Sequence, residues 1–289
     1  MKKLLIAFLL IPLLLGPGLA SADTDCNDRA NEIRMSDRLD EAIDALGDCL
    51  AEELGRVART YLLLGLSYYD AGEHSRAVNY YTQAIEYAPG YVTAFANRGL
   101  SHAMNNDYRS ALADFDRAIE LDPEYMQAYY FRAFSHNREG RYREAMEDFN
   151  AALTLTQDAE EQATLYYNRA RTYRKLGQDE LALSDFNQSI TLKPDFARAY
   201  FSRGLLNHQQ KKADAAIADY SRSIELDNRN ARAYYNRGLL YRKAGTDFLA
   251  MRDFEAATDI DPAYARAYVN RGYTGAIPLL PLLFILALG

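Results

Sequence analysis

Arginine and asparagine side chains recur at a fixed interval in the C-terminal half of the chain. Arg198, Arg232 and Arg266 follow one another at steps of 34 residues. Asn236 and Asn270 each come four residues after one of these arginines, which is one turn along a helix. Guanidinium groups bind carboxylates, and side-chain amides bond the backbone of an extended peptide. The spacing therefore predicts a surface that binds an extended, acidic peptide segment.

The histidines and carboxylates do not combine into a catalytic or metal-binding pattern. His102 and His136 also lie 34 residues apart, as two ligands of one metal ion would in stacked copies of a repeat. Zinc sites need three or four ligands, and no adjacent cysteine or third histidine completes the set, so we interpret both histidines as packing residues. The sequence has no glycine-rich phosphate loop and no Gly-x-Ser-x-Gly elbow. We expect no enzyme activity, no catalytic residue, no cofactor and no metal site.

A second arginine series has aspartates as its counterpart. Each arginine is followed 16 residues later by an aspartate: Arg98 and Asp114, Arg132 and Asp148, Arg169 and Asp185, Arg203 and Asp219, Arg237 and Asp253. One copy earlier, Leu64 and Tyr80 occupy the two places, so both charges are lost together. This paired gain and loss predicts a partly buried ion pair between two neighbouring helices, which is costly to break from one side. We assign these arginines to the scaffold and not to a ligand site.

The elements that carry these residues are helical hairpins. In residues 231–262, apolar positions at helical spacing around Tyr234 are followed by a break at Gly245. A second apolar stripe around Phe254 then runs to a stop at Pro262. This pattern predicts two amphipathic helices joined by a short turn.

The hairpin window repeats along the chain. Its six copies span 58–91, 92–125, 126–162, 163–196, 197–230 and 231–264. The third copy carries three extra residues, which we place within 157–162. Alanine holds the twentieth position and an aromatic residue the twenty-fourth. Glycine or asparagine, which tolerate the left-handed conformation of a helix end, stands between the helices in every copy except the fifth, where Lys211 predicts a strained turn.

This pattern resembles the tetratricopeptide repeat family, TPR. The family's large-x-x-Leu-Gly-x-x-Tyr, Ala-x-x-x-Phe and Pro positions fall on residues of the six copies, although Tyr or Phe replaces Trp and Arg replaces Leu in all copies but the first. The resemblance implies an all-α fold, a right-handed superhelical solenoid of antiparallel helix pairs with a concave inner groove. It implies a binding surface and not a specific function.

The resemblance also implies which residues would face a partner. In TPR proteins the groove is lined by the first helix of each pair, with the second and sixth positions among those that contribute. On this chain the implied partner-binding residues are Asn97, Asn168, Arg171, Arg198, Arg232, Asn236, Arg266 and Asn270. For the asparagines a simpler interpretation stays open, since Asn-Arg-Gly is a frequent helix sequence in this family.

The first 22 residues have the features of a secretory signal peptide. Lys2 and Lys3 precede a short apolar core, and Ala20-Ser21-Ala22 is a small-x-small cleavage site. The core is too short to span a membrane comfortably. We therefore expect an exported protein that is periplasmic or secreted, with membrane association left open.

Residues 23–57 look like a degenerate N-terminal hairpin of the same kind. Cys26 and Cys49 are the two cysteines of the chain, and both fall in this segment at facing positions of the hairpin. An even number of cysteines in an exported chain favours a disulfide. We predict a Cys26–Cys49 bridge that staples the terminal hairpin, with two unpaired buried thiols as the alternative.

The C-terminal end departs from the pattern. Residues 265–275 repeat the first helix of a seventh copy, but residues 276–289 form a tail that is apolar throughout. A tail of this length is short for a membrane span. It can dock over the last helix, enter a membrane, lie in a partner interface or be a defective end of the reading frame, and the sequence does not separate these.

Net charge narrows the class of partner. Removing residues 1–22 takes away Lys2 and Lys3 and changes the formal net charge from −7 to −9. This balance argues against nucleic-acid binding and against a generally anionic membrane surface as the target. We predict a non-enzymatic protein–protein interaction scaffold of the cell envelope. The alternative is a structural or assembly subunit of a membrane-associated envelope complex, held by the apolar tail; the oligomeric state and the partner's identity are not set by the sequence.

Overall fold

The computed structural model describes the backbone of residues 39–264, and the side chains of Asp48 and of residues from 51 onward. Within this range the chain forms twelve α-helices and no strand. In chain order they are α1 Leu39–Asp70, α2 His74–Tyr87, α3 Val92–Met104, α4 Tyr108–Leu121, α5 Met126–Arg138, α6 Tyr142–Leu155, α7 Ala159–Lys175, α8 Asp179–Leu192, α9 Ala197–Gln209, α10 Ala213–Leu226, α11 Ala231–Lys243 and α12 Asp247–Ile260. The predicted all-α fold of repeated helix pairs is confirmed.

The helices divide into two compact units. The N-terminal unit ends at Glu139 and contains α1–α5, and the C-terminal unit begins at Gly140 and contains α6–α12. Within each unit, helices that follow one another along the chain pack together. Three-residue turns join α1 to α2, α3 to α4, α7 to α8, α9 to α10 and α11 to α12, and so short a connection makes each pair antiparallel.

The core is built from the recurring small and aromatic residues. The alanine at the twentieth position of every repeat has no exposed surface, and the aromatic residue four positions later is at most 3% exposed. The two helices of a pair approach closely because the first helix has a small residue facing that ring. A Cβ atom placed on Gly65 would lie 2.5 Å from the ring of Tyr81, and one on Gly204 would lie 2.9 Å from the ring of Tyr220.

The turns adopt the predicted left-handed conformation. Gly72, Gly177 and Gly245 have φ between 73° and 78°. The fifth repeat uses a lysine in the same place, since Lys211 has φ 61°. A residue with a Cβ atom is disfavoured in this region by about 1–2 kcal/mol. The structure thus locates backbone strain at the turn between α9 and α10.

The three extra residues of the third repeat lengthen a helix rather than a loop. Helix α7 has 17 residues, whereas the other first helices α3, α5, α9 and α11 have 13. Asp158 caps the added turn by accepting a hydrogen bond from the backbone N–H of Glu161 at 2.9 Å. The side chain of Gln162 donates to the carbonyl of Thr156 at 2.9 Å and ties the turn to the end of α6.

The start of the described range differs from the predicted hairpin. Helix α1 runs for 32 residues, straight through the boundary that we placed after residue 57. Elsewhere a proline such as Pro89 or Pro123 ends the second helix of a repeat, but here that slot holds Gly55. Glycine costs about 1 kcal/mol in a helix and does not block its continuation, whereas proline does.

Candidate functional site

The arginine–aspartate spacing produces ion pairs between the two helices of one repeat. In the fourth repeat, Nε and Nη2 of Arg169 on α7 donate to the carboxylate of Asp185 on α8 at 2.7 and 2.8 Å. The same arrangement joins Arg98 to Asp114, Arg203 to Asp219 and Arg237 to Asp253. Burial works to lower the pKa of Arg169, but the hydrogen bond and charge of Asp185 outweigh it and raise that pKa. The predicted pairing is confirmed for these four repeats.

Each arginine of this series also reaches the preceding repeat, a contact that the spacing did not predict. Nη1 of Arg169 donates to Oδ1 of Asn150 on α6 at 2.7 Å. The equivalent bonds, at 2.6–3.1 Å, join Arg98 to Thr82, Arg132 to Asp116, Arg203 to Asn187 and Arg237 to Ser221. A signal was available, because a polar residue directly follows the aromatic core residue in every repeat. We call these bonds the inter-repeat bridges.

The first repeat replaces the ion pair with stacked aromatic rings. Tyr80, at the aspartate position, stacks on Tyr68 with ring centroids 5.0 Å apart and planes 7° apart. Tyr61 also stacks with Tyr80, with ring centroids 6.4 Å apart. Leu64, at the arginine position, is 39% exposed. The aromatic stack therefore occupies the place that the ion pair holds in the later repeats, which supports assigning these arginines to the scaffold.

Three other arginines of the C-terminal unit lie in a different environment. Arg171, Arg198 and Arg232 are exposed, and none of them has an ion-pair partner among the described residues. The guanidinium of Arg171 lies 5.6 Å from the ring centroid of Tyr167, and that of Arg232 lies 5.3 Å from the centroid of Phe201. Stacking on a ring restricts a guanidinium and leaves its hydrogen-bonding edge available to an anion.

The asparagines of the predicted site bond their own helices. Nδ2 of Asn97 donates to the carbonyl of Thr93 at 2.8 Å, and Nδ2 of Asn236 donates to the carbonyl of Arg232 at 2.7 Å. Asn168 makes the equivalent bond to Thr164 at 2.9 Å. These bonds fix the amide planes, and for Asn97 and Asn236 they leave Oδ1 as an acceptor. The second and sixth positions thus share one helix face in the C-terminal unit, where Arg198, Arg232 and Asn236 lie.

Several predictions fall outside the described part of the chain. These are the signal peptide at 1–22, the groove residues Arg266 and Asn270, the tail at 276–289, and the disulfide, for which neither Cys26 nor the side chain of Cys49 is described.

The histidines of the described residues have local partners. His102 lies 3.5 Å from Asp107 and 3.9 Å from Asp114, beside the ion pair of the second repeat. His136 is 8% exposed. Among the side chains that the structure describes, no three histidine, cysteine, aspartate or glutamate residues converge as a metal site would require. None of the helices in this range combines the length and apolar character needed to cross a membrane.

Comparison with family models covers most of the repeat region. Models of the tetratricopeptide repeat match residues 62–108, 97–160 and 231–264, and a model of the TPR repeat matches residues 170–211 and 208–245. Together these cover about two thirds of the chain. No curated protein sequence matches.

Solved structures with the same fold support this assignment. YrrB, described as a TPR protein with an unusual peptide-binding site, is 27% identical over 66% of this chain and 97% of its own, with a TM-score of 0.52. PilF of Pseudomonas aeruginosa is 16% identical over 75% of this chain and 99% of its own, with a TM-score of 0.67. MamA is 21% identical over 58% of this chain and 96% of its own, with a TM-score of 0.52. From the repeat models and the helix pairs that carry them, the chain belongs to the tetratricopeptide repeat family.

Proposed function

We propose that this protein is a non-enzymatic scaffold that binds an extended, acidic segment of a partner protein on the first helices of its C-terminal unit. The observation that carries the proposal is the contrast between two sets of arginines on the first helices. Those of the inter-repeat bridges are held by aspartates, whereas Arg171, Arg198 and Arg232 are exposed and have no carboxylate partner in the described range. We call these three residues the arginine strip.

The arginine strip is partly ordered before a partner arrives. Arg171 and Arg232 are stacked on aromatic rings, so binding restricts fewer side-chain rotamers than it would for a solvated arginine. Asn236 is anchored to its own helix and presents Oδ1 beside Arg232. An acceptor next to a guanidinium suits a peptide that offers a backbone N–H and a carboxylate together.

The positive charge of the arginine strip and the similarity of the chain to TPR proteins favour the same class of partner. The formal net charge of the chain is −7, so the cationic strip is a local feature and not a consequence of composition. TPR domains generally supply interaction surfaces, and YrrB, which is 27% identical to this chain, is described as having a peptide-binding site. These observations support a peptide segment as the ligand class.

We place this activity in the cell envelope. The proposal rests on the signal-like residues 1–22, and it gives the mature chain a new N-terminus at Asp23. Mass spectrometry of protein isolated from a cell fractionation tests both points, because it reports the N-terminus and the compartment together. An intact N-terminus in a cytoplasmic fraction would contradict export.

The test of binding compares two double variants of equal charge change. The immobilised full chain captures its partner from an envelope extract, and the affinity is then measured for Arg198→Ala/Arg232→Ala and for Arg117→Ala/Arg222→Ala. The control arginines lie on second helices, where each pairs with a glutamate three residues later. We expect only the first variant to weaken binding, and we expect the salt dependence of binding to fall with it. Equal losses in both variants, or none in either, would move the site away from the arginine strip.

A further inference from the structure

Large apolar side chains are exposed at one end of the hairpins of the C-terminal unit. Phe248 and Leu249, near the start of α12, are 67% and 39% exposed, and Leu181, near the start of α8, is 49% exposed. Phe248 is the most exposed large apolar residue in the described part of the chain. All three residues lie within the first three positions of a second helix, next to the turn.

Repeat packing does not explain these side chains. The second residue of α2, α4, α6, α8 and α10 is Ser75, Arg109, Arg143, Glu180 and Asp214 respectively, and each of them is exposed. This position therefore faces solvent whether or not another repeat follows. Five of six repeats place a polar residue there, as water contact favours, and the sixth places Phe248.

Unpaired lysines lie in or directly before the turns of the same unit. Lys175 and Lys243 are the last residues of α7 and α11, and Lys211 and Lys212 lie in the turn between α9 and α10. All four are exposed, and none forms an ion pair within the described residues. Acidic residues are also present, in the first turns of the second helices: Asp179, Glu180, Asp214 and Asp247. Those carboxylates face the positive ends of their own helices, which stabilise them.

The turns that carry these residues are neighbours. Nη2 of Arg174, near the end of α7, lies 3.4 Å from Oε1 of Gln209 at the end of α9. The turn between α11 and α12 occupies the same place in its repeat as the turn between α9 and α10, and α10 packs on α11 as α8 packs on α9. Leu181, Phe248, Leu249 and the four lysines therefore share one edge of the unit, which we call the turn edge.

We propose that the turn edge docks on the interface of an anionic lipid bilayer. Aromatic residues are favoured at the level of the lipid headgroups, and lysines near that level are attracted to anionic lipids. Protein interfaces have the opposite preference at their cores, where lysine is depleted. The net negative charge of the whole chain opposes approach from a distance, so docking depends on short-range contact by this edge and is sensitive to salt.

The sequence offers a direct probe, because it contains no tryptophan. In the full-length Phe248→Trp variant, the fluorescence of the single indole reports the environment of the turn edge and not that of the C-terminal tail. The matched control is Phe134→Trp, at a residue 42% exposed in the N-terminal unit. We expect a blue shift for Phe248→Trp with vesicles of phosphatidylcholine and phosphatidylglycerol, reversed by salt, and no shift for the control.

The lysines are tested by vesicle co-sedimentation of the full chain. Lys211→Gln/Lys212→Gln should weaken binding about fivefold for each lysine removed. Arg117→Gln/Arg222→Gln makes the same charge change on second helices and should leave binding unaltered, and circular dichroism verifies the helical content of both. No blue shift at position 248 overturns the proposal, as does an equal shift with pure phosphatidylcholine. A shift that grows with protein concentration without vesicles also overturns it, since a second copy of the chain would then cover the edge.

Discussion

Removing one carboxylate tests whether the arginine–aspartate pair holds a hairpin together. Asp185→Ala leaves the guanidinium of Arg169, only 17% exposed, with Asn150 as its remaining bridging acceptor. Two charge-assisted hydrogen bonds are lost and a partly buried cation is left uncompensated. We therefore expect the free energy of unfolding to fall by about 2–4 kcal/mol. Asn150→Ala removes one bond to a neutral acceptor and should cost about 1 kcal/mol.

The first repeat shows how the loss can be repaired. The double variant Arg169→Leu/Asp185→Tyr copies Leu64 and Tyr80 into the fourth repeat. The ring on which Tyr80 stacks is that of Tyr68, and the fourth repeat has Tyr173 at the equivalent position. The new tyrosine therefore has a stacking partner, and most of the lost stability should return.

The fifth repeat supplies the matched control. Its residue at the stacking position is Asn207, which donates to Asp219 at 2.9 Å and is buried. Arg203→Leu/Asp219→Tyr therefore lacks a ring at the Tyr68 position and keeps only Tyr200, at the more distant Tyr61 position. It also leaves a buried amide without its acceptor. This double variant should stay destabilised by about 2–4 kcal/mol.

Urea denaturation followed by circular dichroism measures all of these variants, with the slope of the transition checked for constancy. Recovery in the fourth repeat together with none in the fifth would support the reasoning. The reasoning is refuted if Asp185→Ala unfolds within about 0.5 kcal/mol of the parent, the range of an ordinary surface substitution. Equal behaviour of the two double variants would refute the stacking part alone.

Three further predictions concern single features. Cys26 and Cys49 should be linked in the exported protein, which non-reducing mass spectrometry of the mature chain tests; two free thiols would contradict the bridge. Lys211→Gly should raise the free energy of unfolding by about 0.5–1 kcal/mol because it relieves a positive φ, whereas Asn106→Gly should change it less because asparagine tolerates that conformation. Gly204→Ala should lower the thermal midpoint, because its Cβ atom would meet an aromatic ring at 2.9 Å; an unchanged midpoint would show that the helix pair can separate slightly without cost.

The repeat period of 34 residues and the residue types at its recurring positions were enough to predict the helices and the ion pairs. A spacing of 16 residues links the two helices of a hairpin, so the joint change to Leu64 and Tyr80 pointed to a contact. The turn conformation followed from glycine at a recurrent slot, and the structure gives Gly72 the expected positive φ.

Three features of the structure were not predicted from the sequence. Nη1 of Arg169 bonds α6 of the preceding repeat, and this contact was missed because only spacings within one repeat were compared. The polar residue after each aromatic core residue was the signal that could have shown it. The unbroken α1 was missed because the similarity of residues 23–57 to a hairpin hid the absence of a proline at Gly55. In the sequence, Phe248 is only an apolar residue at a position that is polar in the other five repeats. The structure was needed to show that its side chain is exposed.

The inter-repeat bridges all run in one direction along the chain. Every arginine reaches backward, to an acceptor such as Thr82 or Asn187 that was synthesised earlier, and none of these bonds awaits a later repeat. A polypeptide that emerges from a ribosome or a translocation channel with its N-terminus first can therefore lock each hairpin to its predecessor as soon as that hairpin has appeared. The array then grows as each new hairpin packs on repeats that are already folded. Only the most recent hairpin is still able to misfold.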